Sequence, residues 1–222
     1  MQADVFTLFP DWFSWFREQR HVRGSGAEIE AIDYRATTTL SGASVDDTPF
    51  GGGAGMVLRV DVVEWALRQR YGVDPVELGK QRRVIALTPS GRVLDEDLVV
   101  ELAAEPALTL LCGRYEGFDE RILEHFCTDQ ISIGRYVVAG GELPAMVVLD
   151  AVLRRLPGAL GDAASAHEES FSAALDGLPE YPHYTRPAEW RGWSVPEVLL
   201  SGHHARVEEW RRAQSRARGP LE

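Results

Sequence analysis

An α/β fold built on a parallel sheet, followed by a small and mainly helical C-terminal domain, is the architecture this sequence predicts. Three observations carry the prediction. Short apolar runs alternate with stretches of helical periodicity from Val84 to Leu156. Each of the last three runs ends in a loop rich in Gly or Pro. Beyond Pro157 and Gly158 the chain turns small and polar. Strand–helix alternation of this kind marks parallel strands joined by covering helices.

Taken in order, Asp4 to Pro10 reads as a buried strand, and Phe9, Trp12, Phe13 and Phe16 follow at helical spacing, which assigns them to the core. A second strand is expected near Ala27 to Tyr34, and Thr37 to Ser44 has no clear period and reads as a loop. The glycines Gly51, Gly52, Gly53 and Gly55 superficially suggest a phosphate cradle, but Met56-Val57-Leu58 stands where a P-loop needs Gly-Lys-Ser/Thr. Their backbone N–H groups can still meet an anion. Asp61 is read as the cap of a helix running towards Arg70. Val84 to Leu87 is a short strand ending at Thr88-Pro89-Ser90-Gly91, and Asp95, Glu96 and Asp97 place acid at the start of the next helix, where the dipole favours it. Ala107 to Cys112 is a strand ending in Gly113-Arg114-Tyr115-Glu116-Gly117, and Asp119 to Phe126 is helical.

The last strand, Ile131 to Ile133, enters the stretch that organises the chain: Gly134-Arg135-Tyr136-Val137-Val138-Ala139-Gly140-Gly141-Glu142-Leu143-Pro144. Pro144 suits a first helical turn, and Ala145, Val148, Leu149, Val152 and Leu156 then recur at helical spacing until Pro157 and Gly158 stop the run. Taken alone, this glycine-rich stretch fits either a ligand loop or a connection between core elements. Ligands of open α/β sheets bind outside the carboxyl ends of the strands, so the three loops are expected to form one pocket. Lys80 is the only lysine, and none of the three loops holds a Gly-x-Gly-x-x-Gly fingerprint. With Glu116 and Glu142 supplying negative charge, the pocket suits a ligand that lacks phosphates and carries a cationic centre.

The chain divides into residues 1–160, a polar linker at 161–172 and a C-terminal region at 173–222, where Pro179, Pro182, Pro187 and Pro196 lead into a helix near His203 to Ala217. Its 222 residues are 45% hydrophobic and 26% charged, an ordinary globular composition. Two cysteines, Cys112 and Cys127, exclude a disulfide framework or a four-cysteine zinc site, and no metal is expected. No apolar run approaches membrane-spanning length, and Asp4, Asp11 and Arg17 interrupt any secretory pattern, so a cytoplasmic chain with no membrane partner is expected. The net charge of −11 opposes nucleic acid as a whole, but residues 183–222 hold seven Arg against five acidic residues. Only that tail could track phosphate.

Five motifs in order resemble the bacterial tRNA (guanine-N1)-methyltransferase family over nearly the whole chain. They are Val45-Asp46-Asp47 with Pro49 to Gly53, Cys112 to Gly117, Ser132-Ile133-Gly134 with Tyr136, Gly140 to Pro144, and His183-Tyr184-Thr185-Arg186-Pro187. The resemblance implies a SPOUT-class fold whose loops are threaded as a deep trefoil knot, a homodimer, S-adenosyl-L-methionine as cofactor, and methylation of the tRNA guanine on the 3′ side of the anticodon. Carried over position by position, it implies a cofactor pocket of Leu87, Pro89, Gly113, Tyr115, Glu116, Ile133, Gly134, Tyr136, Val138, Gly140, Gly141 and Pro144. It also implies catalytic roles for Arg154, beside the guanine, and Glu169, as general base. The C-terminal region would bind RNA.

Three departures from the family pattern stand out. One is a pair of losses: Thr37 to Ser44 lacks the family's His and Arg pattern before Val45-Asp46-Asp47, and the sequence stops at Glu222, earlier than is usual, both of which weaken the expectation of tight tRNA binding. Glu168-Glu169-Ser170-Phe171 stands where the family has Glu-Asp-Ser-Phe, which moves the carboxylate out by one methylene. Arg135 stands where the family usually has an acidic residue, and should oppose a cationic cofactor unless it points away or pairs with Glu142 or Glu116. Two alternatives stay open at this point: a cofactor- and RNA-binding paralogue without efficient chemistry, and a SPOUT methyltransferase with another RNA acceptor.

Overall fold

In chain order the first part of the fold runs β1 (Gln2–Thr7), α1 (Trp12–Arg17), α2 (Arg20–Gly24), β2 (Glu28–Asp33), β3 (Asp46–Asp47), β4 (Val57–Leu58), α3 (Val60–Tyr71) and α4 (Pro75–Leu78). It continues through β5 (Arg83–Val93), α5 (Glu96–Ala103), β6 (Ala107–Cys112), α6 (Glu120–His125), β7 (Asp129–Ser132) and α7 (Glu142–Leu153). The computed structural model describes residues 1–160 and 169–219, and the chain separates into two compact units, Met1–Leu160 and Gly161–Glu222.

Five strands form a wholly parallel sheet in the order β2-β1-β6-β5-β7, so the parallel α/β expectation holds. Both faces are covered, which is why these strands read as nearly unbroken apolar runs rather than alternating ones. On one face Val5, Ile85, Leu108 and Leu110 pack with Phe13 of α1, Leu98 of α5 and Val148, Leu149 and Val152 of α7. On the other, Phe6, Val84 and Leu111 pack with Val62, Val63, Ala66 and Leu67 of α3 and Ile122 of α6.

Four local readings are corrected. Phe9 and Trp12 are not core: they stay 38% and 41% exposed, while Phe13 and Phe16 are buried. Phe9 precedes α1, whose buried face is Phe13 and Phe16, and the Arg114 guanidinium lies over the two outer rings, 4.3 Å from the Phe9 ring centre and 5.2 Å from that of Trp12. Asp61 does not cap α3; it sits in the first turn, where its carboxylate is occupied by Arg59 at 2.7 and 3.0 Å. Helix α7 ends at Leu153, and Leu156 follows in a turn, with its N–H donating to the Leu153 carbonyl at 3.1 Å.

The fourth correction shapes the site. β5 does not stop at Leu87; the chain makes an excursion through Thr88–Gly91 and returns, so that Leu87 and Arg92 both pair with Ile131 of β7. The return passes so close to β7 that a Cβ on Gly91 would overlap the backbone of Gln130 and Ile131. Only glycine fits there.

The second unit is described over 169–219. Its Glu169–Ser172 segment is tied down by Phe171 N–H to the Leu178 carbonyl at 2.9 Å and by Glu180 N–H to Ser170 Oγ at 2.9 Å. A hairpin of β8 (Glu189–Trp190) and β9 (Trp193–Ser194) follows, which the sequence did not announce. Its turn residues Arg191 and Gly192 both have positive φ, at 55° and 82°. α8 (Glu197–Leu200) and α9 (His204–Arg218) complete the unit, with Ser215 Oγ and Arg218 donating to the carbonyls of Pro179 and Glu180.

Candidate active site

The three expected loops meet at the carboxyl end of the sheet around a cavity of about 410 Å³, a size that holds small ligands. The first wall is the β5 excursion, which contributes Leu87, Thr88, Pro89 and Ser90. The second is the loop after β6. There Tyr115 is held at φ 60°, Glu116 N–H donates to the Met56 carbonyl at 2.9 Å, and Leu58 N–H donates to the Gly117 carbonyl at 3.0 Å. The short β4 segment thus pins this loop from behind. Gly55 lies against the Glu116 side chain, where a Cβ would overlap the carboxylate, so the absence of a side chain there lets the loop back the wall.

The third wall is the loop between β7 and α7. Ser132 Oγ bridges the N–H and carbonyl of Gly134 at 3.2 and 3.0 Å, and Tyr136 donates its hydroxyl to the Ile133 carbonyl at 3.2 Å. Gly141 N–H donates to the Gly113 carbonyl at 2.8 Å, and a Cβ on Gly141 would lie 2.6 Å from Cys112 Cα. The second and third walls therefore touch through bare backbone.

Eleven of the twelve residues expected around a cofactor line this cavity: Leu87, Pro89, Gly113, Tyr115, Glu116, Ile133, Tyr136, Val138, Gly140, Gly141 and Pro144. Gly134 does not; it sits beneath the Tyr136 ring, which a Cβ would strike, and its φ of 149° suits glycine. Sequence reasoning missed Phe118, Glu120 and Leu123, which also line the cavity. Phe118 backs Gly113, whose Cβ would come within 2.9 Å of the ring, and the neighbourhood of the Gly113–Gly117 motif was the available signal.

The charge pattern differs from expectation. Glu142 does not offer charge to a ligand, because it is fully buried and occupied: Thr7 Oγ1 donates to its Oε1 at 2.8 Å, and Arg114 Nε lies 2.9 Å from its Oε2. Glu116 remains on the wall, joined by Glu120 and Arg114. Arg135 is exposed and lies outside the cavity lining. Below, the buried Cys112 thiol is pushed well above its ordinary range by burial first and by Glu142 second, which makes it a neutral packing group.

Arg154 is not at the cavity of its own chain. It is exposed at the C-terminal cap of α7, about 18 Å along the helix from Glu142 at 1.5 Å per residue. Glu169 belongs to the second unit, half-buried, with its carbonyl accepting the Ser172 N–H at 3.1 Å; Glu168 lies outside the described residues.

Comparison with known proteins decides the family. Residues 1–221 match the family model described as tRNA (Guanine-1)-methyltransferase TrmD. The chain belongs to this family. Two relatives named tRNA (guanine-N(1)-)-methyltransferase are 50% identical in Brevibacillus brevis and 51% identical in Rhodospirillum rubrum, each alignment covering 97% of this chain and 86% or 87% of the relative. A third, from Pelotomaculum thermopropionicum, is 48% identical over 97% of this chain and 85% of its own length. Membership of the methyltransferase family gives the three-walled cavity a chemical context that geometry alone does not supply. Among the described residues, no helix is long and apolar enough to cross a membrane.

Proposed function

We propose that this protein transfers a methyl group from S-adenosyl-L-methionine to N1 of the guanine on the 3′ side of the tRNA anticodon, as a cytoplasmic homodimer. The observation that carries the reading is the cavity, because its chemistry fits this cofactor. Glycine backbone at Gly113, Gly140 and Gly141 allows close approach, while Leu87, Ile133, Val138 and Pro144 give apolar contact. A carboxylate at Glu116 suits a cation, and among the lining residues there is neither a lysine nor a nucleotide-phosphate fingerprint. The close crossings at Gly91 and Gly141 support the knotted threading that the family implies.

When bound, the cofactor supplies an activated methyl on a positively charged sulfur. The chain's own residues prepare the acceptor. Glu169 takes the proton from guanine N1, which requires its ionised form within hydrogen-bond reach. Negative charge then develops on O6, and the Arg154 guanidinium stabilises it. Because Arg154 lies a whole helix away from its own cavity, it would act at the cavity of a second copy, which accords with the homodimer that the family resemblance implies. The second unit, with the basic excess of residues 183–222, takes the tRNA.

Titration calorimetry with S-adenosyl-L-methionine, followed by methyl transfer to unmodified tRNA, tests the reading. Binding with turnover is expected. Binding without turnover identifies a non-catalytic paralogue, and absence of binding rejects the cofactor assignment.

A further inference from the structure

The loop that forms the third wall has little apolar burial to hold it: Tyr136, Val137 and Val138 are 57%, 82% and 36% exposed. Its order therefore depends on polar contacts, and one side chain outside the expected cofactor set supplies the central one. Arg114 donates from its terminal nitrogen to the Ala139 carbonyl at 3.2 Å. Its stem packs directly on Gly140, where a Cβ would strike both Arg114 and the Glu142 carboxylate. Arg114 is in turn held from two sides. The buried Glu142 carboxylate lies 2.9 Å from its Nε, off the line of the N–H, so this is a charge contact and not an aligned hydrogen bond. Phe9 and Trp12 form the other side, stacked beneath the guanidinium. Thr7, at the end of β1, fixes Glu142.

We propose that Arg114 is a positioning residue, clamping the Ala139–Gly141 segment to the ends of β1 and β6 so that the cofactor meets a preordered wall. The proposal rests on the reading of the cavity as a cofactor site. Its physical content is entropic: a wall ordered before binding spares the ligand the cost of ordering it. The clamp joins residues 135 positions apart in sequence, Thr7 and Glu142, through one buried carboxylate.

Arg114→Lys keeps the charge beside Glu142 and removes the planar fork that reaches Ala139 and stacks on the rings. It is expected to weaken S-adenosyl-L-methionine binding about tenfold, the scale of re-ordering one or two residues. It should speed amide exchange in the cofactor-free protein at Gly141, whose N–H donates to the Gly113 carbonyl at 2.8 Å, without speeding exchange across the sheet. Thr7→Val, which frees Glu142, is expected to act in the same direction more weakly, and serves if the lysine variant fails to fold. Parental exchange at Gly141 in folded Arg114→Lys overturns the clamp whether or not the parent binds cofactor. Parental affinity overturns it also, and exchange accelerated across the whole sheet shows Arg114 to be a general stabiliser instead. Failure of the parent to bind cofactor is a separate outcome, which rejects the cavity assignment.

Discussion

At the scale of single residues, Glu169 carries the most chemical weight. The reading gives it the proton of guanine N1, so Glu169→Gln is expected to suppress methylation at least a hundredfold, the order that general-base catalysis contributes, while cofactor affinity measured by calorimetry stays at the parental value. Glu169→Asp restores the family residue and should be tolerated, raising the rate if the extra methylene misplaces the carboxylate. Parental turnover in Glu169→Gln would remove it from the mechanism. Other residues show where sequence reading stops. Glu142 looks like available charge beside a glycine pair, yet Thr7 and Arg114 bury and occupy it, and no local pattern announces partners so far away along the chain. Phe9 and Trp12 have the spacing of core residues, yet they pack on each other at the surface with the Arg114 guanidinium over both rings, a contact no local pattern announces.

At the scale of elements, legibility follows how local the determining forces are. The expected strand Ala107 to Cys112 matches β6 at both ends because an apolar run sits between clear breakers, and the helix expected over Asp119 to Phe126 is observed as Glu120–His125, with Asp119 as its cap accepting the Arg121 N–H at 3.0 Å. The β5 excursion was not legible: Thr88 to Gly91 reads as a turn, and its return to pair again with Ile131 is a tertiary event. The β5–β7 pair also carries an ion pair at its other end, with Arg83 donating to Asp129 at 2.5 and 2.7 Å. Burial alone would raise the Asp129 pKa, but hydrogen bonds from Arg83 and Thr128 outweigh it and hold the carboxyl below its ordinary value. A depressed carboxyl contributes stability that is present above its unfolded pKa of about 3.9 and is lost as pH falls through the folded value. Thermal unfolding between pH 7 and pH 3 should therefore show the parent losing its advantage over Asp129→Asn only below about pH 4. A constant difference across that range would show that the pair adds no pH-dependent stability.

At the scale of the whole molecule, the parallel sheet brings three loops to one end, and that convergence follows from strand polarity alone. Eleven of twelve expected residues consequently line one cavity, although their roles are chemical proposals. The long connections that the site depends on, β5 returning on β7 and β1 reaching α7 through Thr7, are set by packing and leave no periodic trace in the sequence. The central claim is that this cavity serves methylation of one guanine. Incubating the protein with labelled S-adenosyl-L-methionine and total RNA from a strain lacking the modification, then mapping the labelled nucleotide, tests it most directly. The account predicts 1-methylguanine on the 3′ side of the anticodon; label found only outside the anticodon loop, or on another atom of the base, would contradict it.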